Sequence, residues 1–216
     1  MKKRIDLESW PRRAHFEFFN TFEEPFFGAT VQVDCSKAYR SAKAMGSSFF
    51  LYYLHTALSA ANATEPFRYR IDETGSPVEY DCIHAAPTVD REDGTFGFSH
   101  IRFDSDFRVF EERAQLEMAR VRQTSGLEFG LSGDDVIYFS ALPWFSFTSL
   151  SHARKLGSGD SVPKISFGKI IHNPNTGSGS GAMLLPVSIH VHHALVDGLH
   201  VGQFLEQFQG MLDRDV

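Results

Sequence analysis

The chain has 216 residues, 42% of them hydrophobic, with 21 Phe, two Cys and a formal net charge of −6. That length fits one or two domains, and the lack of a Pro/Ser/Gly linker argues for a single domain over 1–216 with a sizeable core. The acidic balance argues against nucleic-acid binding as the main role.

Cys35 and Cys82 show no metal or redox spacing, which suits a reduced, cytoplasmic compartment. The start is basic, but no apolar run follows it, so no signal peptide is expected. No run approaches the ~18 apolar residues of a membrane span, so no membrane partner is expected either.

Residues 10–20 read as a short helix that Ser9 can cap, with Pro11 tolerated in its first turn. Residues 29–34 alternate as a strand. Ser47 and Ser48 precede an amphipathic helix with Phe50, Tyr53, Leu54, Ala57, Leu58 and Ala61 on one face. Strands are predicted at 67–71 and 78–83, joined by a turn over 72–76, and at 95–100. Residues 105–123 read as a charged amphipathic helix. In the second half, β-branched and aromatic residues predict strands at 136–141, 144–148, 164–171 and 183–192.

The glycine-rich segment 173–181 reads as a hairpin connection between the last two strands, not as a linker. A helix over 199–212 closes the chain, with Val201, Phe204, Leu205, Phe208 and Leu212 inward. Strands and helices without strict βαβ alternation predict an α+β fold: a large mixed, mostly antiparallel sheet covered by helices.

The chemistry concentrates in Ser188-Ile189-His190-Val191-His192-His193-Ala194-Leu195-Val196-Asp197-Gly198. On a strand ending at His192, His190 and His192 share one face and His193 takes the other. A metal could be held by His190, His192 and a third ligand, although no diagnostic spacing supplies the third. Alternatively His193 acts alone as a general base at the strand end, since imidazole titrates near neutral pH. Histidines satisfied in a core or interface fit the same spacing. Asp197, before Gly198 and a helix, is of the N-cap type. An ion pair with an arginine is compatible with capping, because one carboxylate accepts several hydrogen bonds.

His192-His193-Ala194-Leu195-Val196-Asp197-Gly198-Leu199-His200-Val201-Gly202 resembles the active-site signature of chloramphenicol acetyltransferases, whose short histidine motif is shared with lipoyl acyltransferase cores and condensation domains. Three more blocks resemble that family in order: Trp10-Pro11-Arg12-Arg13-Ala14-His15-Phe16-Glu17-Phe18, Phe67-Arg68-Tyr69-Arg70-Ile71 and Ser140-Ala141-Leu142-Pro143-Trp144-Phe145-Ser146-Phe147-Thr148-Ser149. The resemblance covers nearly the whole chain. It implies a coenzyme A-dependent acyltransferase of the two-layer sandwich type, a homotrimer with sites at subunit interfaces, acetyl-CoA as cosubstrate and a small hydroxyl-bearing acceptor, with no metal.

It also implies roles: His193 as base, Asp197 paired with Arg12, Ser140 as oxyanion donor, Ser166 near the acceptor and Lys169 near coenzyme A. Phe18, Phe19, Phe96 and Phe98 align with or lie beside acceptor-pocket positions, which favours an aromatic or apolar acceptor, with chloramphenicol the best single guess. Several positions depart from the pattern. Phe19 lacks a family hydroxyl, Phe98 stands where a small residue is usual, Ser48 and Ile170 replace a coenzyme-side lysine and an aromatic, and 173–181 is long. A lipoyl-type core and a catalytically silent trimeric binding protein are the rival readings.

Overall fold

The computed structural model describes residues 1–127, 133–154, 157, 159–173 and 181–214. In chain order these form β1 (Lys2–Arg4), α1 (Arg13–Phe19), β2 (Phe26–Asp34), α2 (Ser36–Ala44), α3 (Phe49–Ala63), β3 (Tyr69–Ile71), β4 (Pro77–Tyr80) and β5 (His84–Asp90). Then come β6 (Phe96–Phe98), α4 (Phe107–Arg122), β7 (Val136–Leu142), β8 (Lys164–Gly168), β9 (Ile171–Asn173), β10 (Ala182–His192) and α5 (Gly198–Leu212).

The large sheet runs β2-β10-β8-β7-β5-β6, with β9 also paired to β10. β7 is parallel to β5 and to β8, and the other pairs are antiparallel. This is the mixed, mostly antiparallel α+β sheet that the patterning predicts.

One face of this sheet is the core face. Phe167 of β8 meets Tyr53 of α3 at 4.7 Å and Phe208 of α5 at 6.3 Å between ring centroids. Val187, Ile189 and Val191 of β10 project to the same side and are buried. α3 is capped by the Ser48 hydroxyl, which accepts from the Leu51 N–H at 3.5 Å. The helix is buried well beyond the single expected face: Leu51, Tyr52, Thr56 and Ala60 are covered too. A helix that apolar on most sides belongs between layers, and α3 packs against α2, α4 and α5.

A second sheet, β1-β4-β3, is tied to the start of β7 by Arg70. Its guanidinium is fully buried and donates to four backbone carbonyls: Phe67 at 2.9 Å, Tyr69 at 2.5 Å, Asp134 at 2.7 Å and Val136 at 2.5 Å. Burial pulls the pKa of this group down to about 10.

Several expectations are corrected. The first helix starts at Arg13, because the Ser9 hydroxyl donates to the Asp6 carboxylate at 2.8 Å instead of capping the helix. Glu65–Arg68 is a 3-10 turn, so the strand expected at 67–71 shortens to β3. Residues 144–148 are not a strand. They begin the long crossover that a parallel β7–β8 pair requires. The run 164–171 splits into β8 and β9 around Lys169 and Ile170. β9 and β10 are antiparallel neighbours, as a hairpin requires, although 174–180 lie outside the described residues.

Candidate active site

β10 ends at His192, and His193 follows it with opposite parity, on the core side. Its backbone N–H donates to the Pro25 carbonyl at 2.8 Å. Its imidazole lies flat against Phe19, with centroids 3.9 Å apart and planes 10° apart, and Phe27 closes another side at 4.7 Å. Nδ1 of His193 is buried with no hydrogen-bond partner among the described residues. That leaves Nε2 as the nitrogen available to a reacting hydroxyl.

The turn after His193 is braced by Asp197. Its Oδ1 accepts from the N–H groups of Leu199 at 3.0 Å and His200 at 3.4 Å, capping α5. Nδ1 of His200 accepts from the Asp197 N–H at 3.2 Å, completing a reciprocal capping box. The other carboxylate oxygen, Oδ2, pairs with Nη1 of Arg12, and Nη2 of Arg12 donates to the His193 carbonyl at 3.3 Å. Cap and ion pair therefore coexist. Burial pushes the Asp197 carboxyl up, but the Arg12 hydrogen bond and the charges of His200 and Arg12 outweigh it, and the group ends below its ordinary value.

His192 has a different character. It is buried, its Nδ1 accepts from the Ala194 N–H at 3.3 Å, and burial brings its pKa down to about 4. It is a neutral structural imidazole.

The other face of the sheet holds a second set of residues. Ser140, Ser166 and Ser188 are register partners across β7, β8 and β10. Alternation puts them on the side away from α3 and α5, with His190 and His192. Over this side opens a cavity of about 990 Å³, lined by Ser140, Phe98, Tyr138, His152, Asp160 and Lys164 among others. Lys164 Nζ pairs with Asp160 at 2.6 Å.

Ser166 does not line the cavity. It is fully buried, and its hydroxyl meets Nε2 of His152 at 3.3 Å. Phe96 packs edge-on to Phe98 at 5.7 Å and is itself half-exposed. Lys169 follows β8 on the surface, with its backbone N–H donating to the Phe145 carbonyl at 2.9 Å. His190 packs edge-on against His152 at 4.8 Å, directly over Gly28. No group of three metal-ligating side chains occurs among the described residues.

The structure therefore gathers His193, Arg12, Asp197 and Phe19 in one place, with Phe18 exposed beside Phe19 at 5.0 Å. Ser140 and Phe98 line the cavity, whose wall also includes Asn20 beside Phe19. From Ser188, His193 is five residues further along, roughly 17 Å at about 3.4 Å per residue, and Ser140 is two strands across, roughly 10 Å. By strand parity the two sets also face opposite sides of the sheet. Parity in the sequence already separates His193 from the strand's other histidines. The cavity-lining His152, Tyr138 and Lys164 carry no motif and were not foreseen.

A family model described as chloramphenicol acetyltransferase matches residues 2–209. A chloramphenicol acetyltransferase from Streptomyces acrimycini is 28% identical over 210 residues, covering 96% of this chain and 93% of its own. A solved chloramphenicol acetyltransferase superposes with a TM-score of 0.88 at 32% identity, covering 99% of this chain and 100% of that one. A probable dihydrolipoamide acetyltransferase from Listeria monocytogenes shares the fold, with a TM-score of 0.67 at 14% identity over 98% and 94% of the two chains. With the family model spanning nearly all of it, the chain belongs to the chloramphenicol acetyltransferase family.

Proposed function

We propose that the protein, as one acyltransferase domain, transfers acetyl from acetyl-CoA to a hydroxyl of chloramphenicol or a similar small aromatic compound. The observation that carries this reading is the fixed imidazole of His193. It is stacked on Phe19, closed off at Nδ1 and anchored through its own carbonyl to the Arg12–Asp197 pair. Such a ring offers Nε2 as a general base without further ordering. Nε2 takes the acceptor's hydroxyl proton as the oxygen attacks the thioester carbonyl. The resulting oxyanion receives a hydrogen bond from the Ser140 hydroxyl. Collapse breaks the C–S bond, and the imidazolium returns its proton to the departing thiolate.

Because His193 and Ser140 face away from each other in one chain, the reading calls for two copies at each site. The His193 face of one subunit serves the Ser140 cavity of the next, in the cytoplasmic homotrimer that the family resemblance implies. The exposed rings of Phe18, Phe22, Trp144 and Phe145 are the type of surface such contacts cover. Lys169, exposed beyond β8, would serve the coenzyme, the role the resemblance implies for it.

The test is thiol release from acetyl-CoA with chloramphenicol at millimolar concentration. The wild type is expected to turn over, and His193→Ala to lose roughly 10²–10⁴-fold in kcat with the fold preserved. Thiol release by His193→Ala at the wild-type rate refutes the base assignment. No turnover of chloramphenicol, with clear turnover of another alcohol, refutes the drug and leaves the transferase.

A further inference from the structure

His152 sits in the cavity wall, and Ser166, which it touches, is fully buried. His152 comes from the long connection between β7 and β8 and is fixed twice. Its Nε2 meets the buried Ser166 hydroxyl at 3.3 Å, and its ring packs edge-on against His190 at 4.8 Å. His190 in turn occupies the space over Gly28, where an added Cβ would stand 2.5 Å from its Nε2. Burial, helped by the nearby His190 and Lys164, brings the His152 pKa down to about 4, so the ring is neutral at pH 7. A neutral imidazole has one donor nitrogen and one acceptor nitrogen. With Nε2 engaged below, the hydrogen-bonding capacity left to the ring is at Nδ1. Around it the cavity wall is otherwise mixed, with Phe98, Tyr138 and the Lys164–Asp160 pair.

We propose that His152 is a specificity-determining residue: anchored on Ser166, its Nδ1 edge gives the cavity beside Ser140 a neutral hydrogen-bonding group that favours acceptors bearing a polar substituent over purely apolar ones. This rests on reading the cavity as the acceptor site. An apolar substituent placed against that edge leaves the nitrogen unpaired, and an unpaired buried polar group discriminates strongly between otherwise similar ligands.

The experiment compares two phenylpropane-1,3-diols differing only in a para-carboxamide or a para-methyl group. With wild-type enzyme the carboxamide is expected to have a KM about tenfold lower, at similar kcat, the effect of one hydrogen bond. In His152→Leu the ratio should collapse to within about twofold, and His152→Asn should restore part of it. A ratio that survives in a folded His152→Leu overturns the proposal. A readout independent of turnover is the ring ¹⁵N spectrum of His152, whose Nε2 resonance should move in Ser166→Ala; an unmoved resonance overturns the anchor. If the wild type acetylates no alcohol, the acetyltransferase reading fails. Calorimetric binding of the two diols then decides the specificity claim, equal affinities in wild type and His152→Leu refuting it.

Discussion

Replacing Asp197 by alanine removes two things at once. The cap on α5 disappears, since Oδ1 no longer accepts from Leu199 at 3.0 Å and His200 at 3.4 Å; a lost cap costs about 1 kcal/mol. Arg12, whose side chain is only 13% exposed, loses its carboxylate and keeps the longer bond to the His193 carbonyl at 3.3 Å. Stranding one member of a fully buried pair costs ~3–5 kcal/mol. Asp197 is 31% exposed and water reaches the pair, so about 1–3 kcal/mol is the appropriate share.

The sum, about 2–4 kcal/mol, corresponds to a fall of roughly 4–16 °C in Tm for a chain of this size. The assay is thermal unfolding by circular dichroism at matched protein concentration, for Asp197→Ala, Arg12→Met and the double variant. Coupling should exceed about 0.5 kcal/mol. The carboxyl's folded pKa is depressed, so its contribution is complete above the ordinary carboxylate pKa and fades as pH falls through the folded one. The Tm gap between wild type and Asp197→Ala should therefore narrow below about pH 4. A melting temperature within 1 °C of wild type at pH 7, or additive single effects, refutes the reasoning.

Ser140→Ala should lower kcat by about 10²–10³-fold with little change in KM, while Ser146→Ala and Ser149→Ala, in the same block but exposed, leave it unchanged; equal effects at all three would reject the oxyanion role. Gly28→Ala places a Cβ 2.5 Å from the His190 ring and should cost about 1–3 kcal/mol, read as a drop in Tm, with an unchanged Tm showing that the ring swings aside freely. His192 binds its proton at about 4 when folded against an ordinary 6.5, so the unfolded chain holds more protons between those values and stability should rise with pH across that window. His192→Asn, which keeps an acceptor for the Ala194 N–H, should remove roughly 1–3 kcal/mol of that rise, and a rise identical to wild type would contradict it.

The elements legible in the sequence are those whose local and tertiary signals agree. Ser48 caps α3, Asp106 caps α4 and Asp197 caps α5, each just ahead of a periodic apolar face. α2 escaped because Ser36–Ala44 is polar with only Ala38 and Ala42 buried, too weak a stripe to read. β5 escaped because His84–Asp90 carries Pro87 and two alanines, residues poor in strand propensity, and owes its place to parallel pairing with β7. Residues 144–148 mislead in the opposite sense. Trp144 and Phe145 look like strand residues but stand 72% and 52% exposed, while Phe147 rests against Gly168. The catalytic candidates were readable because motif spacing survives in sequence. His152 was not, since its partner Ser166 is 14 residues away on a strand whose register only the folded sheet defines.

If the sheet's two faces serve different molecules, as proposed, there is a genetic consequence. On the proposed assembly, a chain spoiled at His193 still offers an intact cavity, and a chain spoiled at Ser140 still offers an intact imidazole. Each defect is silent on the face it does not touch. Two inactive alleles expressed together would then rescue one another, since an interface pairing the good face of each is whole. Random mixing in equal amounts makes about a quarter of the interfaces whole. On that assembly, selection would act on the two faces of this sheet as if they were separate genes, even though one reading frame encodes both.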